Sequence, residues 1–206
     1  MNDLLASMPK VELHAHLNGC IRESTLLDLA NQRNVRLSPL LHELQKSEKN
    51  TRNGGDNISR VNTKQRSLQE CFEIFSEISR CVTDLKALRR IAQEALQDFA
   101  EQNVVYLELR STPKVLYHDS SKMEKATKKD YVDTILKVFE EYEDSHCTTP
   151  MIPRFIISIN RAESVKDAIE NSTLAIEYKK KNNKYIVGLD LSGNPFKVGS
   201  YCINHD

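Results

Sequence analysis

Three apolar, β-branched runs constrain this chain more than any other feature: residues 104–110, 154–160 and 185–191, each following a stretch with helical periodicity. A run of that kind reads as a strand of a parallel sheet covered on both faces. Residues 9–17 add a fourth strand, so strands and helices alternate, which implies right-handed βαβ units and an α/β fold. The sheet is then either open and doubly wound or part of a barrel. Polar side chains gather at the carboxyl ends of the four strands, the face that carries active sites in (β/α)8 barrels. A complete barrel takes about 250 residues, so four strands in 206 residues look like the N-terminal half of a TIM-type barrel, about four βα units.

The helical stretches carry readable start signals. Ser24 is an expected N-cap for residues 24–33, and Ser67 with Glu70 forms a capping-box pattern before Cys71, Phe72, Phe75 and Ile78. Asp84 caps a stripe of Leu85, Leu88, Ala92, Ala95 and Phe99 ending near Asn103. These last two helices are expected to form an extra antiparallel pair between strands 1 and 2. Thr127 with Asp130 opens the next helix, with Tyr131, Ile135, Val138 and Tyr142 on one side. Ser164 with Asp167 opens the last, which closes in Lys179, Lys180 and Lys181. Residues 46–66 have the composition of a mobile loop. The whole of 1–206 is expected to be a single, incomplete barrel domain.

Charge and cysteine content remove several classes of function. Lys plus Arg and Asp plus Glu both count 29, so no basic field argues for nucleic acid or an anionic membrane. No apolar run approaches a membrane span and the start lacks signal-peptide character, so a cytoplasmic location is expected. Five cysteines without a C-x-x-C pair fit neither a disulfide framework nor a thiolate zinc site. A small-molecule partner fits best; oligomeric state is not readable.

The chemistry concentrates in the first strand, where His14 and His16 stand two residues apart. Side chains at that spacing point to one face and lie roughly 6.6 Å apart along the strand, so both rings can lean toward one divalent ion. Two histidines on a half-exposed strand can equally be plain surface residues. Their place at a strand end before Asn18 and Gly19 favours the metal. A structural zinc site would need four protein ligands and none of Cys or His lies close by, so an open, catalytic site is the better reading. Glu108 and Asp190 lie inside strands as candidates for ion pairs, and Arg110 could pair with an acidic neighbour.

The segment Pro9-Lys10-Val11-Glu12-Leu13-His14-Ala15-His16-Leu17-Asn18-Gly19 resembles the opening of the adenosine deaminase family within the amidohydrolase superfamily. Tyr106-Leu107-Glu108-Leu109-Arg110-Ser111-Thr112-Pro113 and Gly188-Leu189-Asp190-Leu191-Ser192-Gly193-Asn194-Pro195 resemble its second and fourth strand motifs, closest to the N(6)-methyl-AMP deaminase branch. The resemblance implies a zinc-dependent hydrolase that deaminates a 6-aminopurine nucleoside monophosphate. It assigns His14 and His16 as ligands of one Zn2+ ion. It places His16, Asn18, Arg110, Ser111, Thr112, Pro113, Asn160 and Gly193 against the substrate, although the branch commonly has Asp at 160 and His at 79, here Ser79. Adenosine deaminases proper usually carry Asp at position 18. A carboxylate there would repel a 5′-phosphate that a neutral amide can meet as donor.

The family's third zinc histidine, its acid–base glutamate and its zinc-holding aspartate are expected beyond the fourth strand, so no catalytic residue is assigned within 1–206. The resemblance fades over 196–206, a divergent tail. The chain is therefore expected to be a truncated form with little activity of its own. The alternatives are an adenosine deaminase acting on the nucleoside, another H-x-H metal hydrolase, or a non-catalytic fragment.

Overall fold

A computed structural model describes Leu4 and residues 7–38, 67–145 and 151–195. The elements run β1 (Lys10–His16), a 3-10 turn (Leu17–Gly19), α1 (Glu23–Gln32), α2 (Leu68–Cys81), α3 (Leu85–Glu101), β2 (Val104–Ser111), β3 (Leu116–Tyr117), β4 (Lys125–Ala126), α4 (Lys128–Ser145), β5 (Ile152–Asn160), α5 (Val165–Lys180) and β6 (Ile186–Ser192). They form two compact units, Glu23–Val82 and the rest of the chain. Helices α1 and α2 belong to the first unit and α3 to the second, so the expected helical pair between strands 1 and 2 is divided between them. The expected loop at 46–66 and the tail at 196–206 lie outside the described residues.

The main sheet has the order β1-β2-β5-β6 with every pair parallel. Strands that follow one another in space as they do in sequence show no reversal of order. A doubly wound sheet would need such a switch point, so the sheet is wound in one sense, as half of a barrel is. Outward side chains Leu107, Leu109, Phe155 and Ile157 are fully buried on the helix side. Phe139 of α4 meets Phe155 and Tyr185 edge-on at 6.4 and 5.7 Å between ring centroids. The inward face is polar and half-open, with Tyr106 donating to Glu108 (2.9 Å), so the expectation of β2 covered on both faces holds for the helix side alone. On the edge strands, Val11, Leu13, Val187, Leu189 and Leu191 are between 43% and 60% exposed. Among the described residues no helix is long and apolar enough to cross a membrane.

The start signals are met at most helices. Ser67 and Glu70 close a reciprocal capping box on α2; Thr127 and Asp130 do the same at α4, the Thr127 N–H donating to Asp130 (2.7 Å) and the Asp130 N–H to Thr127 (3.1 Å). Ser164 caps α5 by accepting from the Asp167 N–H (3.1 Å). Ser24 is not a cap: α1 already begins at Glu23, so Ser24 lies inside its first turn. Asparagines at 34, 103 and 182 hold φ of 53°, 59° and 53° just past the ends of α1, α3 and α5. Two of these ends are Schellman motifs, with Val35 N–H to Ala30 O (2.9 Å) and Asn183 N–H to Tyr178 O (3.1 Å). Asn is the side-chain-bearing residue best suited to that left-handed position.

Pro153 lies inside β5; β6 pairing begins only at Phe155, so its missing N–H falls where the strand has one neighbour. After Pro113, Leu116 and Tyr117 pair antiparallel with Ala126 and Lys125. Tyr117 also donates its N–H to Thr83 O (3.0 Å), bringing this ribbon to the start of α3. There Asp84, 1% exposed, accepts from the Ala87 N–H at 2.8 Å. Asp84→Ala is expected to cost about 1–2 kcal/mol in urea unfolding, with Asp84→Asn retaining most of the stability.

Candidate functional site

The two histidines come together through a defect in β1. Its register on β2 runs Glu12 opposite Leu107 and then Ala15 opposite Leu109, so three steps on one strand meet two on the other. This is a β-bulge, a device that re-aims side chains at functional sites. The His14 N–H leaves the ladder and donates to the Glu12 carboxylate at 2.7 Å. The ring nitrogens Nε2 of His14 and His16 then stand 3.2 Å apart. Two nitrogens each about 2.0–2.1 Å from one tetrahedral ion take nearly that separation, so the pair fits a shared divalent metal. Among the described residues no third His, Cys, Asp or Glu joins them in a metal-ligating group.

The local electrostatics favours the ligating form of His16. Burial first, then His14 and the Arg110 guanidinium, hold its imidazole below the ordinary range against an opposing pull from Asp190. A neutral ring keeps a lone pair for a metal. Below it, the Cys20 thiol donates to the His16 carbonyl at 3.2 Å, and burial pushes that thiol up to about 11, so it braces the strand end as a protonated group. Leu17 is fully buried, and Arg22 grips Asp98 of α3 at 2.7 Å. Together these contacts fix the turn that carries Asn18, which is half-buried.

Arg110 sits opposite His16 in register and is 8% exposed. Its Nη2 donates to the Leu13 carbonyl at 2.6 Å, and its Nη1 faces Asp190 of β6 at 3.4 Å. One guanidinium on β2 thus ties β1, β2 and β6 across the inward face, and the ion-pair reading of Arg110 and Asp190 is met. Asp190 also accepts from the Ser158 hydroxyl (3.3 Å). Glu108 instead accepts from Tyr106.

The remaining candidates divide by strand parity. Arg110 points inward, so Ser111 points to the helix side, where its buried hydroxyl shares a 2.6 Å hydrogen bond with the Tyr131 hydroxyl of α4. Thr112 is half-buried and Pro113 buried at the strand's carboxyl end. Asn160 is engaged within its own loop, accepting from the Ala162 N–H (3.1 Å) and donating to Glu163 (3.3 Å). Gly193 lies against it with φ of 98°. A Cβ there would collide with Asn160 Oδ1 and stand 3.3 Å from the Arg161 amide nitrogen. Gly193→Ala is therefore expected to lower stability by about 1–3 kcal/mol, read by thermal unfolding.

Sequence reasoning passed over Glu163, which accepts from Asn160 in the loop after β5; it belongs to no motif, and only its placement marks it. A cavity of about 380 Å³ among Val115, Lys125, Ala126, Lys128 and Leu174 includes none of the candidate site residues.

Residues 9–205 match the adenosine deaminase family. The chain belongs to the adenosine deaminase family. It is 36% identical to N6-mAMP deaminase of Arabidopsis thaliana, covering 96% of this chain and 55% of that protein. It is 31% identical to N6-Methyl-AMP deaminase of Mus musculus, over 94% of this chain and 48% of the mouse protein. A crystal structure of Arabidopsis ADAL complexed with IMP superposes with a TM-score of 0.71 at 35% identity, covering 97% of this chain and 53% of that one. This family member spans about half the length of the curated relatives it matches, and the likeness runs through β1, with its histidines, and β6, with Asp190, to Gly193 beyond it.

Proposed function

We propose that this chain carries the metal-binding strand and part of the substrate mouth of a hydrolase that deaminates a 6-aminopurine nucleoside monophosphate, of the N(6)-methyl-AMP to IMP type. The observation that carries the reading is the bulge-built imidazole pair, 3.2 Å between nitrogens, at the carboxyl end of β1 and two residues before Asn18. His14 and His16 hold one zinc ion. Bound zinc supplies Lewis acidity, lowering the pKa of water from about 15.7 to about 7.

The chain's own residues bind and orient. Asn18 offers a neutral amide to the 5′-phosphate where a carboxylate would repel it. Arg110 holds β1 and Asp190 in place, Thr112 and Pro113 shape the wall, and Gly193 offers its backbone to the purine from the turn packed against Asn160. Ser111 contributes through its backbone, its hydroxyl being engaged by Tyr131. Asn160 positions its loop. No residue is assigned as the proton-shuttling carboxylate. The balanced charge supports a small-molecule partner, and the free thiols of Cys20 and Cys81 support a reducing, cytoplasmic setting.

The test is turnover by the native gene product supplemented with zinc, followed as IMP formed from N(6)-methyl-AMP. Conversion that a chelator abolishes, with adenosine left largely untouched, is expected. Deamination of adenosine in preference to N(6)-methyl-AMP would overturn the nucleotide assignment.

A further inference from the structure

We propose that a second copy of this chain completes the sheet: β6 of each copy pairs with β1 of the other, closing an eight-stranded barrel in which Asp190 becomes the third ligand of the partner's histidine pair. The proposal rests on the reading of His14 and His16 as a metal clip.

Among the described residues neither outer edge of the main sheet has a strand partner, and neither edge is guarded. β6 carries one charge and no proline, and that charge, Asp190, is turned inward to Arg110. On β1, Lys10 folds back onto the carbonyls of Gln102 (2.9 Å) and Met8 (3.0 Å), and Glu12 accepts from the His14 N–H. Val11 and Leu13 on one edge and Val187, Leu189 and Leu191 on the other stay exposed. An apolar edge without an outward lysine or proline is a template for another strand. A second copy supplies a matching strand at both edges. A two-fold axis along the barrel axis leaves every strand parallel, so β6 meets the partner's β1 twice and no edge remains. Basic and acidic residues both count 29, so no net charge holds two copies apart.

The stagger of the strands sets the register of that contact. Straight across the sheet, His16 lies level with Arg110, Arg110 with Ile156, and Ile156 with Gly188. His16 ends β1, whereas β6 runs on four residues past Gly188 to Ser192. A barrel of this kind has a shear of about 8, so each half climbs about four residues. The climb is already complete at β6. Gly188 is thereby set opposite the partner's Glu12, and Asp190 opposite the partner's His14. The Asp190 carboxylate, with 22% of its side chain exposed, then meets both imidazoles. Two histidines and one aspartate are the three protein ligands of a catalytic zinc site whose fourth position stays open. The closed dimer holds two such sites, each built from both copies.

The experiment is sedimentation equilibrium of the 206-residue chain with zinc, paired with zinc affinity from competition with a chromophoric chelator, on wild type, Leu189→Lys, Asp190→Asn and His14→Ala. Wild type is expected to sediment at twice the chain mass. Leu189→Lys, which puts a charge on the exposed edge, should sediment at the chain mass and lose at least about tenfold in zinc affinity. Asp190→Asn and His14→Ala should each bind zinc at least about tenfold more weakly. An equimolar mixture of those two variants should regain tight zinc binding, because a mixed dimer joins one intact histidine clip to one intact Asp190. Ligands drawn from a single chain could not complement in this way, and the mixture does not depend on how Leu189→Lys folds. Wild type at the chain mass, or in assemblies larger than a dimer, overturns the closure. A mixture that regains nothing overturns the shared site, as does Leu189→Lys with undiminished affinity. His14→Ala with wild-type zinc affinity overturns the metal reading itself, and this site with it.

Discussion

Replacing Arg110 with methionine is expected to destabilise the protein by about 2–4 kcal/mol, the largest effect of any single change at the site. The loss has two parts. The Leu13 carbonyl loses a charge-assisted donor at 2.6 Å, and Asp190, with 22% of its side chain exposed, loses its counter-charge. Solvent reaching Asp190 keeps the cost below that of a sealed ion pair. The buried Nε of Arg110, which has no hydrogen-bond partner among the described residues, lowers it further, because the wild-type group is itself incompletely satisfied. Urea unfolding would measure it, and the double variant Arg110→Met, Asp190→Leu should recover much of the loss by removing the stranded carboxylate. A single variant as stable as wild type would show that the tie between β1, β2 and β6 carries no weight.

Removing either imidazole should act on the metal rather than on the fold. Loss of a group that merely orients a metal ligand costs about 10–100-fold in affinity, so His14→Ala and His16→Ala are each expected to weaken zinc binding by about 100-fold or more. His14 is exposed, which makes His14→Ala the cleaner probe: its metal-free melting temperature should match that of wild type. The zinc-induced rise should vanish in the variant, because a ligand at about 100 times its Kd stabilises by about 2.7 kcal/mol only where the site exists. An undiminished rise in His14→Ala would remove the histidine pair from the metal site.

These two expectations differ in how far the sequence alone could have led to them. The histidine pair was visible in the sequence because period two is a local property, and so were the caps at Ser67, Asp84 and Ser164, each decided within four residues. The bulge at Leu13 and His14 was not, because a slipped register depends on which residue of β2 lies opposite, a choice made some 90 residues away. Arg110 and Asp190 are each legible as charges at strand positions, yet only the sheet order sets them face to face. Ser111 is instructive in another way. Strand parity alone, with Arg110 inward, directs its hydroxyl to the helix side, so motif membership and side-chain direction are separate questions. The ribbon of β3 and β4 escaped because two-residue strands carry no period.

The proposed function puts both the metal clip and the phosphate-facing part of a nucleotide deaminase site in this chain. Titrating IMP and inosine into the zinc-loaded 206-residue chain tests both parts at once. IMP is expected to bind at least about tenfold tighter than inosine, and chelating the zinc is expected to abolish IMP binding. Equal affinity for the two ligands, or IMP binding indifferent to the chelator, would contradict it.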